Sequence, residues 1–593
     1  MHGFYGRILV VDLSRQRYVH ESVDENVPAA FLGGKGLGSA LLAERNPAGV
    51  DPFSPDNHLV FATGPACGTM VWGGSRYGVF TKSPQTGFYS ESYAGGRVPE
   101  AMDAAGYDAL VVTGRAPTPV VLVVRPEGAA FHKAGSLWGM DTYRAQDAAL
   151  ERFARQGHGK SGAVVIGPAG ENQVCFSVIE NDYWRSAGRT GAGAVMGSKN
   201  LKAIVFQGNR RRQPADTRAI KTLAVALSST SRTNAQVAAY RTKGTPMMVE
   251  VMNRAGGFPT RYWREGSFEA WRQISAEALH TRCRVTPKTC AKCFIACGRL
   301  TTVEKGRHTG LRIEGPEYET IYAFGGLCAI ESIEEIIYLN DLCDRLGMDT
   351  ITAGNLCGLA IEAARRGRID DEVDYGRPEL VASLLKKIAF RQGVGDVLAR
   401  GIRVAARHWN LEDIAVHVKG LEPAGYDPRV LKGVGLGYAT SDRGACHLRA
   451  TFYKPELSGM IDPQATEGKA TLFVDYEDRL TLFDTLILCR FYRDLYPWET
   501  LCELVNALTG LKADEGILRS VSSRIADTVR RFNTQEGLRP EDDRLPERLY
   551  RESLKTGHHI EKAEMRRMIQ EYYRLRGWDE HGRVRPRNTT PPA

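Results

Sequence analysis

The first 208 residues alternate short apolar runs with breaks that contain glycine or proline. Apolar runs of this length, bounded by turn residues, are typical of β-strands. Residues 7–13 and 18–23 are predicted to form a hairpin, and helical spacing is confined to residues 38–44 and 143–156. Further strands are predicted at residues 59–63, 77–82, 109–113, 120–124, 163–166 and 203–206.

Beyond residue 208 the apolar positions recur at steps of three and four, which predicts amphipathic helices. Two polar passages rich in glycine and proline, GNRRRQPAD (208–216) and KGLEPAGYDPR (419–429), predict domain boundaries. The polar, proline-rich tail 584–593 is predicted to be loose. The predicted helices are residues 220–228, 332–346, 353–366, 378–390, 476–490 and 514–531.

Charge and hydropathy exclude several classes of function. The chain carries a net charge of +9, but its basic side chains are dispersed among 69 acidic residues, with one tight run at 210–212. This pattern favours an anionic small molecule or an acidic partner protein over nucleic acid. No apolar run approaches the length of a membrane helix, and the N-terminus lacks the apolar stretch of a signal peptide. We therefore expect a cytoplasmic protein without membrane contact.

Two glycine-rich segments, GGKGLGSALL (33–42) and GRTGAGAVMG (188–197), are similar to dinucleotide-binding loops. In the second segment the third glycine of the fingerprint falls on Met196, and a strand rather than a full helix is predicted to follow. A Rossmann site is therefore not favoured. Close backbone approach to another flat or phosphorylated ligand accounts for the glycines equally well.

Three cysteines lie within the segment TCAKCFIACGR (289–299). The spacing Cys-x2-Cys-x3-Cys with one distant cysteine is typical of a [4Fe–4S] cluster. Zinc favours a second cysteine pair or nearby histidines, and neither follows here. An unligated packing role is the third alternative. Most of the other cysteines are most simply explained as small buried apolar side chains.

A later cysteine, Cys489, lies in DTLILCR (484–490), which resembles DRLGMDT (344–350). In both segments an aspartate precedes an apolar residue by four positions, and Asp or Cys follows. A carboxylate can accept hydrogen bonds from the N–H edge of a fused heterocycle such as a pterin. The repeat therefore suggests two copies of one ligand or two halves of a symmetric one. Chance spacing on amphipathic helices is the alternative.

Together these features resemble the tungsten-containing aldehyde:ferredoxin oxidoreductase family. The resemblance covers nearly the whole chain. It implies an α+β fold, in which a β-rich N-terminal base domain (1–208) cradles the cofactor and two mostly α-helical domains (209–418 and 419–593) enclose it. Besides the cysteine loop and the two aspartate turns, it rests on GGSRYGVFTKSPQTGF (73–88), SAGRTGAGAVMGSKNLKAI (186–204), EGPEYET (314–320), GLGYATSDRGACH (435–447) and YYRLRGW (572–578).

The resemblance also implies the cofactors. These are a tungsten ion held by two pyranopterins, Mg2+ bridging the pterin phosphates, and a [4Fe–4S] cluster. The implied cluster ligands are Cys290, Cys293, Cys297 and Cys489. The residues implied to surround the pterins and the cluster are Arg76, Gly95, Arg185, Ser186, Ala187, Asp344, Gly347, Met348, Asp349, Thr350, Arg449, Asp484, Leu488 and Cys489.

Glu319 and His447 match the catalytic carboxylate and histidine of the family. In isolation, such a glutamate is usually solvated and such a histidine usually packs in a core. Oxidising an aldehyde to an acid adds water and removes a hydride equivalent and protons, so a group must move protons near neutral pH. Which of the two is the primary proton acceptor stays open at this stage.

Two departures from the family pattern carry expectations of their own. Ile487 replaces the glycine of the second turn, and IIYLNDLCD (336–344) lacks the histidine of the Glu-x-x-His motif that binds iron between subunits in homodimeric members. We therefore predict no metal-bridged homodimer. Instead we expect a hetero-oligomer with an iron–sulfur electron-transfer subunit and a flavin subunit that reaches NAD.

The predicted function is oxidation of aldehydes to carboxylic acids, with acid reduction as its reverse. Electrons would leave through the cluster to ferredoxin-like or flavin-containing partners. A tungsten subunit of an aryl-CoA reductase is one alternative. A non-catalytic iron–sulfur relay or structural subunit is another, and it would not need two pterin turns. The presence of both Glu319 and His447 favours the first function.

Overall fold

The computed structural model describes residues 2–585, so the predicted tail lies outside the described part except for its first two residues. The predicted α+β class is confirmed. The strands are β1 Arg7–Asp12, β2 Arg17–Ser22, β3 Leu59–Ala62, β4 Tyr77–Lys82, β5 Tyr89–Ala94, β6 Ala109–Thr113, β7 Val120–Arg125, β8 Gly128–Lys133, β9 Lys160–Val165, β10 Ile179–Asn181, β11 Arg185–Ala187, β12 Leu201–Gly208, β13 Cys283–Lys288, β14 Gly298–Val303 and β15 Arg312–Glu314.

Helices dominate after β12. The α-helices are α1 Asn26–Phe31, α2 Gly34–Arg45, α3 Val98–Ala104, α4 Thr142–Phe153, α5 Pro168–Glu171, α6 Ala192–Ser198, α7 Thr217–Thr230, α8 Ala235–Lys243, α9 Met247–Arg254, α10 Ala276–Arg282, α11 Tyr318–Thr320, α12 Ile333–Leu346, α13 Thr350–Arg365, α14 Pro378–Ala389, α15 Val394–Ala399, α16 Ile402–Trp409, α17 Lys432–Thr440, α18 Tyr453–Leu457, α19 Lys469–Leu486, α20 Trp498–Thr509, α21 Glu515–Gln535, α22 Glu547–Arg551 and α23 Lys562–Arg576. Short 3-10 helices span Glu269–Ile274, Arg490–Tyr492 and Pro540–Asp542, and a π-helical turn spans Ile321–Gly326.

Two six-stranded sheets form the N-terminal part. Their strand orders are β2-β1-β6-β3-β4-β5 and β11-β10-β9-β12-β7-β8. The sheets pack face to face through one core that includes Leu9, Phe61, Leu122 and Ile204. Helices α2 and α21 cover the outer face of the first sheet, and α4 covers the outer face of the second. The edge strands β5 and β11 lie against each other, and that edge faces the helical part of the chain.

A third, three-stranded sheet, β13-β14-β15, interrupts the helical region and was not predicted from the sequence. Its strands CRVTPK and GRLTTV carry too few apolar residues to stand out as strands. Their backbone pairing from Cys283 opposite Val303 to Lys288 opposite Gly298 makes a hairpin. The loop of this hairpin is the predicted cysteine segment.

The predicted hairpin of β1 and β2 is confirmed, as are the helices over residues 332–346 and 378–390 to within one residue at each end. Several predicted helix boundaries are wrong by three or more residues, for example the start predicted at 476, which lies at Lys469, and the end predicted at 531, which lies at Gln535. The helix predicted to continue to residue 490 ends at Leu486, because Ile487 adopts a left-handed conformation with φ 65°. Within residues 2–585, none of the helices has the length and apolar content needed to cross a lipid bilayer.

The basic run at 210–212 includes a buried structural residue. The guanidinium of Arg212 donates to Asp103 (2.5 Å), Asp108 (2.7 Å), the carbonyl of Gly3 (2.9 Å) and the hydroxyl of Thr63 (2.7 Å). The network ties the chain start to the first sheet. Arg211, by contrast, is exposed.

We expect Arg212→Leu to lower the free energy of unfolding by about 3–5 kcal/mol, because it leaves two buried carboxylates without their partner. Urea denaturation followed by circular dichroism measures the change. Arg211→Leu is the matched control and should change stability by less than about 0.5 kcal/mol. Equal destabilisation by the two substitutions would contradict a structural role for the buried network.

Candidate functional site

The hairpin loop between β13 and β14 carries three of the cysteines predicted to bind a metal centre. Lys292 and Ala296 adopt left-handed conformations, with φ 51° and 55°, so the loop turns sharply between successive cysteines. Cys290, Cys293 and Cys297 are each half-buried. The loop therefore presents three thiols to one side within eight residues of chain.

Cys489 reaches this loop through Gly73. The amide of Cys489 donates to the carbonyl of Gly73 (2.9 Å), and the amide of Gly73 donates to the carbonyl of Lys292 (2.8 Å). A third bond runs from the amide of Phe294 to the hydroxyl of Tyr492 (3.0 Å). Backbone contacts thus place the late cysteine beside the early loop.

All four of these cysteines line one cavity of about 260 Å³. Among residues 2–585, no three His, Cys, Asp or Glu side chains are close enough to share one metal ion. A tetrahedral zinc site needs its sulfurs about 2.3 Å from a single ion. The four thiols therefore share a cavity but do not form a compact single-ion site in the described structure.

Several other predicted residues line the same cavity, namely Arg76, Gly95, Arg185 and Ser186. The guanidinium of Arg76 donates to the carbonyl of Tyr93 (3.1 Å) and lies 3.8 Å from the sulfur of Cys489. An ideal Cβ on Gly95 would be 3.1 Å from the sulfur of Cys290, so the backbone lies directly against that thiol. Arg185 forms an ion pair with Glu314.

A second cavity, of about 380 Å³, adjoins the first and shares Arg76, Trp184 and Ser186 with it. We call it the larger cavity. Its lining includes the predicted residues Asp344, Met348, Asp349, Thr350, Glu319 and His447. The structure therefore brings the first aspartate turn and both predicted catalytic residues together next to the cysteine cavity.

The first turn follows the end of α12, where Gly347 is left-handed with φ 78°. Asp349 then caps α13 by accepting from the amides of Ile351 (3.1 Å) and Thr352 (3.3 Å). Asp349 also accepts from Arg189 (3.0 Å), whose other nitrogens donate to the carbonyls of Ala445 and Glu422. This capped helix start fixes the turn against the N-terminal sheets.

Asp344 at the first turn is in an acidic environment. Burial raises its pKa well above the ordinary value, and the neighbouring carboxylate of Glu180 raises it further. Burial likewise raises the pKa of Glu180 to about 8. The side-chain amide of Asn340 donates to Asp344 (2.7 Å), and the hydroxyl of Ser186 donates to Glu180 (2.8 Å). The pair is therefore protonated on at least one carboxyl near neutral pH.

The second turn has the same backbone shape and the opposite electrostatics. Ile487 occupies the left-handed position of Gly347, with φ 65° and ψ 41°. Burial alone would raise the pKa of Asp484, but the guanidinium groups of Arg490 and Arg449 hold it below its ordinary value. Arg490 forms an ion pair with this carboxylate, and Arg449 donates to it at 3.3 Å.

Five of the predicted site residues line neither cavity. They are Ala187, Gly347, Arg449, Asp484 and Leu488. Ala187 pairs with Ile179 in the sheet, and Leu488 is buried in the helical core. Arg449 contacts Glu91 as well as Asp484, and its Nε and Nη2 atoms are buried without a hydrogen-bond partner in the described structure.

Glu319 and His447 are neighbours in the lining of the larger cavity, with His447 Nε2 3.5 Å from Glu319 Oε1. The other oxygen of Glu319 accepts from the amide of Gly425 (2.9 Å). Burial raises the pKa of Glu319 to about 8. Burial, reinforced by the charge of Arg189, lowers the pKa of His447 well below its ordinary value. Both groups are therefore mainly uncharged near neutral pH.

Sequence reasoning missed several residues of the site, among them Arg189, Arg490 and Tyr426, which line the larger cavity, and Glu180, whose carboxylate raises the pKa of Asp344. Arg189 lies inside the quoted segment 186–204, and Arg490 directly follows Cys489, so the motifs could have indicated both. Glu180 and Tyr426 carry no signal in the sequence, because each is an isolated residue that reaches the site only through folding. Tyr426 stacks on His447 with 5.8 Å between ring centroids.

Comparison with known proteins gives matches to two family models and to several relatives of similar length. The family model "Aldehyde ferredoxin oxidoreductase, N-terminal domain" matches residues 8–208, and "Aldehyde ferredoxin oxidoreductase, domains 2 & 3" matches residues 222–590. The tungsten-containing aldehyde ferredoxin oxidoreductases of Pyrococcus furiosus and Thermococcus kodakarensis are each 35% identical to this chain, over 98% of both sequences.

Two further similarities are more distant. The WOR-like subunit of an aliphatic sulfonate oxidoreductase from Pyrococcus furiosus is 28% identical over 98% of this chain and 96% of that protein. The active site complex BamBC of benzoyl coenzyme A reductase, solved with 1,5-dienoyl-CoA, superposes with a TM-score of 0.83 at 22% identity, over 98% of this chain and 96% of that chain, and shows the shared fold. The family resemblance predicted from the motifs is confirmed, and this chain belongs to the aldehyde ferredoxin oxidoreductase family of oxidoreductases.

Proposed function

We propose that this protein oxidises aldehydes to carboxylic acids at a tungsten bis-pyranopterin centre and passes the electrons to a [4Fe–4S] cluster. The observation that carries the proposal is the Glu319–His447 pair in a cavity that adjoins the four-cysteine cavity. A site for proton transfer and a site for electron transfer are then neighbours. Relatives with 35% identity, named for tungsten and aldehyde oxidation, support the same assignment.

The residues at the two turns suit a ligand with two pterin halves. Asp484 is ionised and can accept two N–H groups, whereas the protonated Asp344–Glu180 pair can donate as well as accept. Arg449 has unpartnered buried N–H groups, and so has Arg490 Nη1, which suits an anionic group such as a phosphate. We propose that these residues hold the pterins, with Mg2+ bridging the phosphates. The bound tungsten centre would supply the two-electron redox chemistry.

The cluster proposal rests on the cysteine cavity. Its four thiols, from Cys290, Cys293, Cys297 and Cys489, would each bind one iron. Arg76 lines both cavities, so its guanidinium would lie next to both the cluster and the tungsten centre if these are bound as proposed. Cys290 and Cys293 are half-buried, which leaves the cluster side of the molecule open to an electron acceptor.

We propose the proton roles from the position of the pair in the cavity, where the two pKa shifts leave both groups mainly uncharged near neutral pH. Neutral His447 can accept a proton on Nε2 from an attacking water. Protonated Glu319 can donate a hydrogen bond from Oε1 to the substrate oxygen. The backbone amide of Gly425 holds the other carboxyl oxygen and fixes the orientation of the group.

Electron-transfer partners are part of the proposal. The relatives include one described as a subunit of an oxidoreductase, and the structural neighbour is a complex of reductase subunits. Both support a hetero-oligomer, and we propose that its other members are an iron–sulfur subunit and a flavin subunit. The proposed three-domain division at residues 208 and 418 is compatible with such an assembly.

Metal analysis combined with turnover tests the function. The purified chain should contain tungsten and iron and should reduce a viologen dye with aldehydes. Benzoyl-CoA with a reduced viologen is the parallel assay for the aryl-CoA reductase alternative. Aryl-CoA reduction without aldehyde oxidation would overturn the proposal, and so would a chain that contains neither tungsten nor molybdenum.

Substitution of the late cysteine tests the cluster. We expect Cys489→Ala to lose most of its iron and its iron–sulfur electron paramagnetic resonance signal, because the remote ligand is missing. Cys502→Ala is the matched control, since Cys502 is also half-buried but lines neither cavity. Unchanged iron content in Cys489→Ala would refute the assignment of the fourth ligand.

The pH dependence tests the role of Glu319. Its protonated form is the donor, and the protonated fraction falls as pH rises through the pKa of about 8. We therefore expect kcat/KM to fall on the alkaline side with an apparent pKa near that value. Glu319→Gln should remove this alkaline limb and lower kcat/KM by roughly 10²–10⁴-fold. An identical alkaline limb in the variant would assign it to another group.

A further inference from the structure

Aromatic side chains form a continuous part of the lining of the larger cavity. They come from α8, α11, the segment before α17, α18 and the 3-10 helix after the second turn. We call this surface the aromatic wall, and it consists of Tyr240, Tyr318, Tyr426, Tyr453 and Phe491. Met248, which also lines the cavity, adds a flexible apolar side chain next to it.

The aromatic wall extends up to the proposed catalytic histidine. The rings of Tyr426 and Tyr453 stack with 4.2 Å between centroids and 8° between planes. Tyr426 also contacts the rings of Tyr318 (5.3 Å) and His447 (5.8 Å). Tyr240 and Phe491 form a second ring pair at 4.6 Å. A substrate with its reacting carbon at His447 therefore has ring faces and edges within reach for the rest of its structure.

Each cation that lines the larger cavity makes at least one polar contact in the described structure, and the unpartnered Nη1 of Arg490 is assigned above to the proposed cofactor. Arg189 pairs with Asp349, Arg490 pairs with Asp484, and Arg443 donates to the sulfur of Cys446 (3.0 Å). Arg76 donates to the carbonyl of Tyr93. These groups lie on the proposed cofactor and cluster side.

One further cation, Arg493, interacts with Tyr240 and Tyr453, but its side chain is buried and does not line the cavity. An anionic substituent placed against the aromatic wall would thus lose its water without gaining a charged partner there. The charge distribution selects against carboxylate, phosphate and sulfonate groups on the substrate.

We propose that the substrates are uncharged aldehydes that carry an aromatic ring, with the ring against the aromatic wall and the formyl group beside the Glu319–His447 pair. This inference rests on the proposed aldehyde oxidation. Aromatic pairs prefer edge-to-face or offset geometry and contribute beyond the area that they bury. Rings of the aromatic wall therefore discriminate an aryl group from a saturated ring of the same size.

The test uses matched aldehydes with the holoenzyme and a viologen dye. Benzaldehyde and cyclohexanecarbaldehyde differ in aromatic character, whereas benzaldehyde and 4-formylbenzoate differ in charge. We expect kcat/KM for benzaldehyde to exceed that for the saturated aldehyde by about two- to twelvefold, and that for the anionic aldehyde by roughly tenfold or more. Equal or reversed ratios would overturn the inference.

A binding measurement separates recognition from intrinsic reactivity. Acetophenone and cyclohexyl methyl ketone have the same matched rings but cannot be oxidised to acids. Acetophenone should be the stronger competitive inhibitor of aldehyde oxidation, by the same two- to twelvefold ratio. Equal inhibition by the two ketones would mean that the cavity is merely apolar, and the aromatic inference would fail.

Variants assign the selectivity to the aromatic wall. Tyr240→Leu and Phe491→Leu should each lower the benzaldehyde to cyclohexanecarbaldehyde ratio by about threefold, because each removes one ring partner. Phe390→Leu, at an exposed position outside both cavities, is the control and should leave the ratio unchanged. Oxidation of all aldehydes with no shift of the ratio in either variant would defeat this inference alone. Failure to oxidise any aldehyde would defeat the proposed function as well.

Discussion

The site depends on one pair of backbone hydrogen bonds, those of Gly73. Its amide holds the carbonyl of Lys292 in the early cysteine loop, and its carbonyl holds the amide of Cys489 at the second turn. The residue has φ +81°, and a Cβ there would lie 2.8 Å from the ring of Tyr492, so only glycine fits without displacement of that ring. A segment from the N-terminal sheets is thus inserted between two pieces of the helical region. The arrangement explains why the thiol of Cys489 meets the three thiols of the early cysteine loop in a single cavity.

The two aspartate turns show how one backbone shape can serve two electrostatic roles. Gly347 and Ile487 have the same left-handed conformation, yet burial and the neighbouring Glu180 raise the pKa of Asp344, while Arg490 and Arg449 lower the pKa of Asp484. A ligand with two chemically equal halves would meet a carboxyl pair that shares a proton on one side and an ionised carboxylate on the other. Such a difference distinguishes the halves by proton affinity rather than by shape. Negative charge on such a ligand would be stabilised on the side of Arg449 and Arg490.

Helices and strands with a clear local pattern of apolar and polar residues could be predicted from the sequence. Elements and site residues that depend on packing could not. Short apolar runs with turn residues around them identified strands such as Ala109–Thr113, and three- and four-residue spacing identified helices such as Ile333–Leu346. The strand Cys283–Lys288 was not predicted, because most of its residues are polar and at least partly exposed. It is defined by its backbone pairing with β14 rather than by an apolar pattern. At the site, motif spacing selected the cysteines and aspartates, whose chemistry is conspicuous. It could not select Tyr426 or Glu180, because single side chains acquire their role only from neighbours that are remote in sequence.

The left-handed Ile487 bears on the order in which the molecule assembles. A β-branched residue in this conformation is strained, by about 1–2 kcal/mol, so an isolated segment would not hold the turn. The backbones of Gly34 and Gly64 lie against the end of α19, where a Cβ on either would fall within 3 Å of a main-chain oxygen. Contact with these N-terminal glycines offsets the strain. We therefore expect the second turn to form only once these N-terminal glycines have docked against the end of α19.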